Sequence, residues 1–155
     1  MGLQYGKYRF TCRFEKQAIL PDFKGSTFHG VFGRALKNVV CALKQQTCDK
    51  CPLQQRCLYV RVFETQLVRK PEGQARYSDI PHPYVIEPPE NSQTTFEKDG
   101  EISCELALFG EFTRDLPYFI YAFDLMGKTG LGRRVGGSRG KFCLVEVRNN
   151  SNIIY

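Results

Sequence analysis

Along residues 8–14, YRFTCRF, apolar and polar side chains alternate: Tyr8, Phe10, Cys12 and Phe14 on one face, Arg9, Thr11 and Arg13 on the other. A two-residue period is the pattern of a strand with one buried face. After Pro21 and Gly25 the apolar positions recur every three or four residues, through Phe28, Val31, Phe32, Ala35, Leu36, Val39, Val40 and Leu43. This predicts an amphipathic helix capped by Ser26. Residues 58–67, LYVRVFETQL, are rich in β-branched and aromatic side chains and read as a second strand. The proline-rich stretch up to Pro89 reads as a long loop with a short extended piece over 84–86.

Alternation returns in EISCELALF, residues 101–109, with Ile102, Cys104, Leu106 and Leu108 facing one way. Asp115 then opens a second helix, with Pro117 in its first turn and Leu116, Phe119, Ile120, Phe123 and Met126 along its stripe. Gly127 or Gly130 ends it, residues 141–147 form the last strand, and the tail NNSNIIY reads as a frayed end. The order strand, helix, strand, strand, helix, strand is an α+β unit whose antiparallel sheet carries both helices on one face. That is the ferredoxin-like fold, βαββαβ, spanning residues 1–150, with a cysteine-rich insertion at 41–57 after the first helix.

At 155 residues, 42% hydrophobic and 25% charged, the chain has the size and balance of one globular domain with its own core. No apolar run reaches the roughly 20 residues of a membrane helix, and MGLQYGKYRF lacks the features of a secretory signal. A cytoplasmic protein with no membrane partner is the expectation. The net charge is +6, and its distribution matters more than its size. Between residues 125 and 148 Lys128, Arg133, Arg134, Arg139, Lys141 and Arg148 face Glu146 alone. The glycine-rich stretch 127–141 within that span combines Gly130, Gly132, Gly136 and Gly137 with Arg133, Arg134, Arg139 and Lys141. Bare backbone beside positive charge is suited to phosphates, so these residues are the candidate nucleic-acid contacts. The stretch follows a helix and precedes a strand, the reverse of a nucleotide-binding phosphate loop.

Seven cysteines are an odd number for a disulfide framework. Cys41, Cys48, Cys51 and Cys57 fall in the pattern C-x6-C-x2-C-x5-C, and the two-residue spacer lets both thiolates of a pair reach one ion. They are the candidate metal ligands, for a structural zinc first and an iron–sulfur cluster as the alternative. Cys12, Cys104 and Cys143 read as core residues. His29 and His82 are the only histidines. His82 lies among prolines and reads as structural or exposed. His29 sits near the start of the first helix, with Gly30 and Gly33 beside it and Lys37 roughly 12 Å further along the axis. No set of acidic residues has the spacing of a catalytic metal site.

The segments STFHGVFGRALKNVVC, CDKCPLQQRCLYVRVFE, PHPYVIEPP, ELALFGEFTRDLPYFIYAFDLMGKTGLG and RRVGGSRGKFCLVEV together resemble the amino-terminal half of a CRISPR-associated endoribonuclease of the RAMP superfamily, which processes precursor crRNA. The resemblance implies two tandem ferredoxin-like domains, the second following the tail at 151–155, with RNA held in part by the glycine-rich loop. It also implies metal-free cleavage in which a ribose 2′-hydroxyl attacks the adjacent phosphate. His29 fits the family's helix histidine as general acid or base, with Lys37 and Tyr5 as further candidates for stabilising charge. The partners implied are a CRISPR repeat transcript, a carboxy-terminal RAMP domain and other CRISPR-associated subunits. A non-catalytic RAMP subunit that holds RNA in an effector complex is the alternative.

Overall fold

Alternation along the first strand sends Gly6, Tyr8, Phe10, Cys12 and Phe14 into the interior, and the fold is assembled around that row. The computed structural model describes residues 2–70, 72 and 80–155. In chain order its first half comprises β1 (Tyr5–Phe14), β2 (Ala18–Ile19), α1 (Gly25–Val40), α2 (Leu58–Val62), β3 (Tyr84–Glu87) and β4 (Thr95–Phe96). The second half comprises β5 (Glu101–Phe109), α3 (Leu116–Thr129), β6 (Leu131–Val135), β7 (Ser138–Gly140), β8 (Phe142–Asn149) and β9 (Asn152–Ile153).

The main sheet has the order β3-β5-β1-β8-β9, with every neighbouring pair antiparallel. Without β9, the path β1-α1-β3-β5-α3-β8 is the ferredoxin-like fold expected from the sequence. Both long helices cover one face. Phe10 of β1 packs on Phe123 of α3 with ring centroids 4.3 Å apart, and Phe32 of α1 meets Phe119 and Phe123 at 5.5 and 5.4 Å. Lys24, 1% exposed, is a polar exception in this interior. Its ammonium donates to the carbonyls of Asn91 and Asp22 at 3.0 and 3.3 Å, tying the start of α1 to the segment before β4.

The opposite face of the sheet is open and carries charge in matched pairs. Lys7 bridges Glu87 and Glu105, Arg9 reaches Glu105, Arg13 reaches Glu101, and Arg148 holds Glu146. Thr11 and Ser103 share a hydrogen bond between them at 3.2 Å. Cross-strand pairs of opposite charge stabilise the ladder and cancel its field.

The structure corrects several expectations. Residues 58–67 are not the second strand: they form α2 and a 3₁₀ turn at Thr65–Leu67. The place of that strand is taken by β3, within the proline-rich stretch, where Tyr84 and Ile86 pair with Leu108 and Leu106. Ser26 does not cap α1, which starts at Gly25 after Lys24 with no side-chain cap, and ends at Val40 short of Leu43. Gly130, with φ +86, ends α3, whereas Gly127 lies inside the helix and serves close packing, since a Cβ there would lie 2.2 Å from the Phe142 carbonyl oxygen. Cys143 is exposed; only Cys12 and Cys104 of the three strand cysteines are buried. The tail does not fray but returns as β9 against β8, through Asn150 at φ 52.

Phe123 joins the first strand to both helices, so Phe123→Ala should destabilise the fold by about 3–5 kcal/mol, measured by chemical denaturation.

Candidate nucleic-acid interface

The glycine-rich stretch is a hairpin rather than a loop. β6 and β7 pair through Leu131↔Gly140 and Val135↔Ser138, and the turn between them is made by Gly136 and Gly137, with φ of 59° and 86°. Positive φ at both central residues is what a two-residue turn needs to match the strand twist, and glycine adopts it without strain. Gly132, at φ +76, serves contact instead, since a Cβ there would sit 2.0 Å from the Ile19 carbonyl oxygen. The hairpin therefore lies backbone against backbone on β2, with Leu131 fully buried beneath it. Gly136 and Gly137 stand in open space.

Docked in this way, the hairpin and α1 enclose a groove of about 460 Å³. Ser26, Thr27, Gly30 and Arg34 of α1 form one wall, Gly132, Arg133 and Arg139 the other, with segment 19–21 at one side. A second cleft of about 380 Å³ continues over Arg34, Thr129, Arg134, Gly137 and Ser138. Among the described residues no acidic side chain lines either space. Among the same residues Arg34, Arg133, Arg134 and Arg139 form no ion pair, while Lys128 and Arg148 are paired to Asp124 and Glu146. Lys141 is exposed beyond the hairpin, outside both clefts, and its carbonyl accepts from the Glu15 amide at 2.9 Å. Four arginines without an ion pair thus line one continuous channel.

Arg34 joins the candidates only through the fold. Its one sequence signal is the spacing Ser26, Gly30, Arg34, which places all three on one helical face. Gly30 is open, with nothing within 4 Å of a Cβ; Gly33 is filled by the Phe63 ring, 2.5 Å from where its Cβ would be.

His29 lies beside Gly30 on the flank of α1 turned towards α2 and β3. Its ring is 4.9 Å from Phe63 and stacks on Tyr84 at 5.9 Å. Burial against these rings, and next the charge of His82, lower its pKa below the usual 6.5. Lys37 points the same way, its ammonium 5.2 Å from the centre of the Tyr59 ring. Tyr5 stands elsewhere: it is exposed on the open face of the sheet, stacked on Phe109 at 6.4 Å. The structure therefore brings His29 and Lys37 to one flank and leaves Tyr5 on the far side of the sheet.

Cys41, Cys51 and Cys57 line a cleft of about 460 Å³ beside Leu43, Leu53 and Tyr118. Cys48 leans towards Lys37; its thiol is pushed up by burial, and the nearby ammonium opposes the shift. Gln54 braces the turn by donating to the carbonyls of Cys48 and Asp49 at 2.9 and 3.1 Å. Among the described residues no three Cys, His, Asp or Glu side chains are gathered as a ligand set.

Fold and groove define a ferredoxin-like α+β domain with an arginine channel along its first helix. The AF_1859_N family, described as an N-terminal domain, matches residues 3–155, and the chain belongs to it. An uncharacterized protein of Archaeoglobus fulgidus is 30% identical over 115 residues, which are 74% of this chain and 38% of that protein. The chain thus spans well under half the length of this curated relative. A solved structure of similar fold is a chain from the Csm3–Csm4 subcomplex of the type III-A CRISPR-Cas interference complex. Its TM-score is 0.57 at 12% identity, covering 95% of this chain and 79% of that one.

The environment of His29 has a measurable consequence. Its NMR titration midpoint should fall below 6.5, and His82→Gln should move it back up only in part, because burial is the larger cause. Since the unfolded chain binds this proton more readily, His29 should cost stability as pH falls through 6.5 towards the folded midpoint, with no cost above 6.5.

Proposed function

We propose that this chain is the RNA-binding, amino-terminal part of a metal-independent endoribonuclease that processes CRISPR precursor transcripts. The observation that carries the reading is the channel of arginines without ion pairs, Arg34, Arg133, Arg134 and Arg139, between α1 and the glycine hairpin. Guanidinium groups in an acid-free groove suit a phosphodiester backbone, and the open step at Gly30 leaves room for that backbone to reach His29. His29 then moves a proton as a ribose 2′-hydroxyl attacks the neighbouring phosphorus. Lys37 remains a candidate for stabilising charge from the same flank. Tyr5, on the other face, acts only on RNA that wraps the sheet edge.

The open sheet face is a poor rival for RNA because its charges are already paired. The A. fulgidus relative's greater length supports a second domain in the whole protein, which would work in the cytoplasm with other CRISPR-associated subunits. The similarity to a chain of an interference complex favours a second reading, a RAMP-type subunit that holds RNA and cuts nothing. Structural zinc on Cys41, Cys48, Cys51 and Cys57 stays part of the proposal, and it requires these thiols to close together around the ion.

Cleavage decides between the two readings. Full-length protein should cut its repeat RNA in EDTA to a 2′,3′-cyclic phosphate, and His29→Ala should slow cutting by about 10²–10⁴; bound but uncut RNA would select the subunit reading. Replacing Arg34, Arg133 and Arg139 by Ala should weaken RNA binding and flatten its log–log salt dependence by about three. Elemental analysis of untagged protein should find zinc; neither zinc nor iron would overturn the cysteine assignment.

A further inference from the structure

His29 and His82 are the only histidines of the chain, and both approach the same ring, that of Tyr84. His29 stacks on it at 5.9 Å with an interplanar angle of 15°, while His82 meets it edge-on at 6.1 Å and 69°. Both histidines reach the surface, and His29 adjoins Gly30 and the Phe63 ring. The Nδ1 atom of His82 lies 2.8 Å from the Val62 carbonyl oxygen. A carbonyl only accepts, so Nδ1 keeps its hydrogen and donates it. Nε2 is then the nitrogen that gains or loses a proton, which gives His82 the fixed tautomer of an oriented acid–base group.

We infer that His82 is a second proton-transfer residue, paired with His29 for cleavage of an RNA phosphodiester; the inference rests on the nuclease reading above. His29 takes the proton of the ribose 2′-hydroxyl, and the 2′-oxygen forms a bond to phosphorus. The bond from phosphorus to the 5′-oxygen breaks, and His82 Nε2 gives its proton to that oxygen. The products are a 2′,3′-cyclic phosphate and a 5′-hydroxyl, and solvent water returns both imidazoles to their starting states. No metal or other co-reactant enters the balance.

The surroundings suit a pair with one base and one acid. His82 disfavours the charged form of His29, and burial does so more strongly. From α2 comes Tyr59, whose hydroxyl is pushed up to about 12 by burial first and Glu64 next, and from the turn after α2 comes Glu64 itself. From α1 Lys37 stands over Tyr59. From β3 comes Tyr84, whose hydroxyl is also raised by burial and has no hydrogen-bond partner among the described residues. Tyr59 and Tyr84 therefore stay neutral at physiological pH and leave the proton exchange to the imidazoles.

The test uses full-length protein in single-turnover cleavage of its repeat RNA, beside the same RNA with sulfur replacing the 5′-bridging oxygen at the scissile bond. A thiolate leaves without an acid. His82→Ala should therefore cut ordinary RNA at least about 10²-fold more slowly yet cut the sulfur substrate at the wild-type rate, whereas His29→Ala should be slow on both. His82→Asn keeps an amide donor for the Val62 carbonyl but has no titratable nitrogen, and should remain as slow as His82→Ala on ordinary RNA. Wild-type rate in His82→Asn, or an equal defect of His82→Ala on both substrates, would overturn the pairing while leaving the nuclease reading intact. Wild-type protein that binds the RNA and leaves it uncut would overturn both.

Discussion

The groove exists because two backbones touch where side chains would normally keep them apart. A Cβ on Gly132 would collide with the Ile19 carbonyl, and one on Gly140 would come within 2.3 Å of the Ala18 Cβ. Only glycine at these positions lets the hairpin β6–β7 lie flat on β2, and only that docking carries Arg133 and Arg139 to within a groove's width of Arg34 on α1. Glycine thus serves architecture first. The positive φ of Gly136 and Gly137 closes the turn, and the charge follows the backbone that these residues shape.

Charge is divided between the faces of the molecule in a consistent way. On the open sheet, β1 presents Lys7, Arg9 and Arg13, and β5 answers with Glu105 and Glu101 directly across the ladder. Along the groove no carboxylate among the described residues answers the arginines. The channel offers cations without carboxylate partners and the open sheet offers paired ones, a difference that the net charge of the whole chain does not reveal. The aromatic residues Tyr5 and Phe109 stack on each other at one end of the open sheet.

The strands of the central sheet are legible where one face is buried and the period is long, as in residues 8–14 and 101–109. The second strand is not. LYVRVFETQL has strand-like composition, yet Val60 and Val62 are buried from a short helix, because β preference reports the fit to a surface and not the backbone itself. The true strand, β3, has four residues in a proline-rich stretch and is held by its pairing with β5, a tertiary contact that no local pattern encodes. Val-Gly-Gly-Ser is a hairpin signal, masked by glycines and charges on either side that read equally well as a loop. At the site, the arginines of the hairpin and His29 are visible as residues. Arg34 and the meeting of His29 with His82 are not, since each depends on which elements pack together.

Whether RNA lies between α1 and the glycine hairpin is tested most directly by photocrosslinking of 4-thiouridine-substituted repeat RNA followed by peptide mapping. Crosslinked peptides from residues 26–34 and 131–140 are the predicted result. Crosslinks confined to β1 and β5 on the open sheet, with both groove segments unmodified, would contradict it.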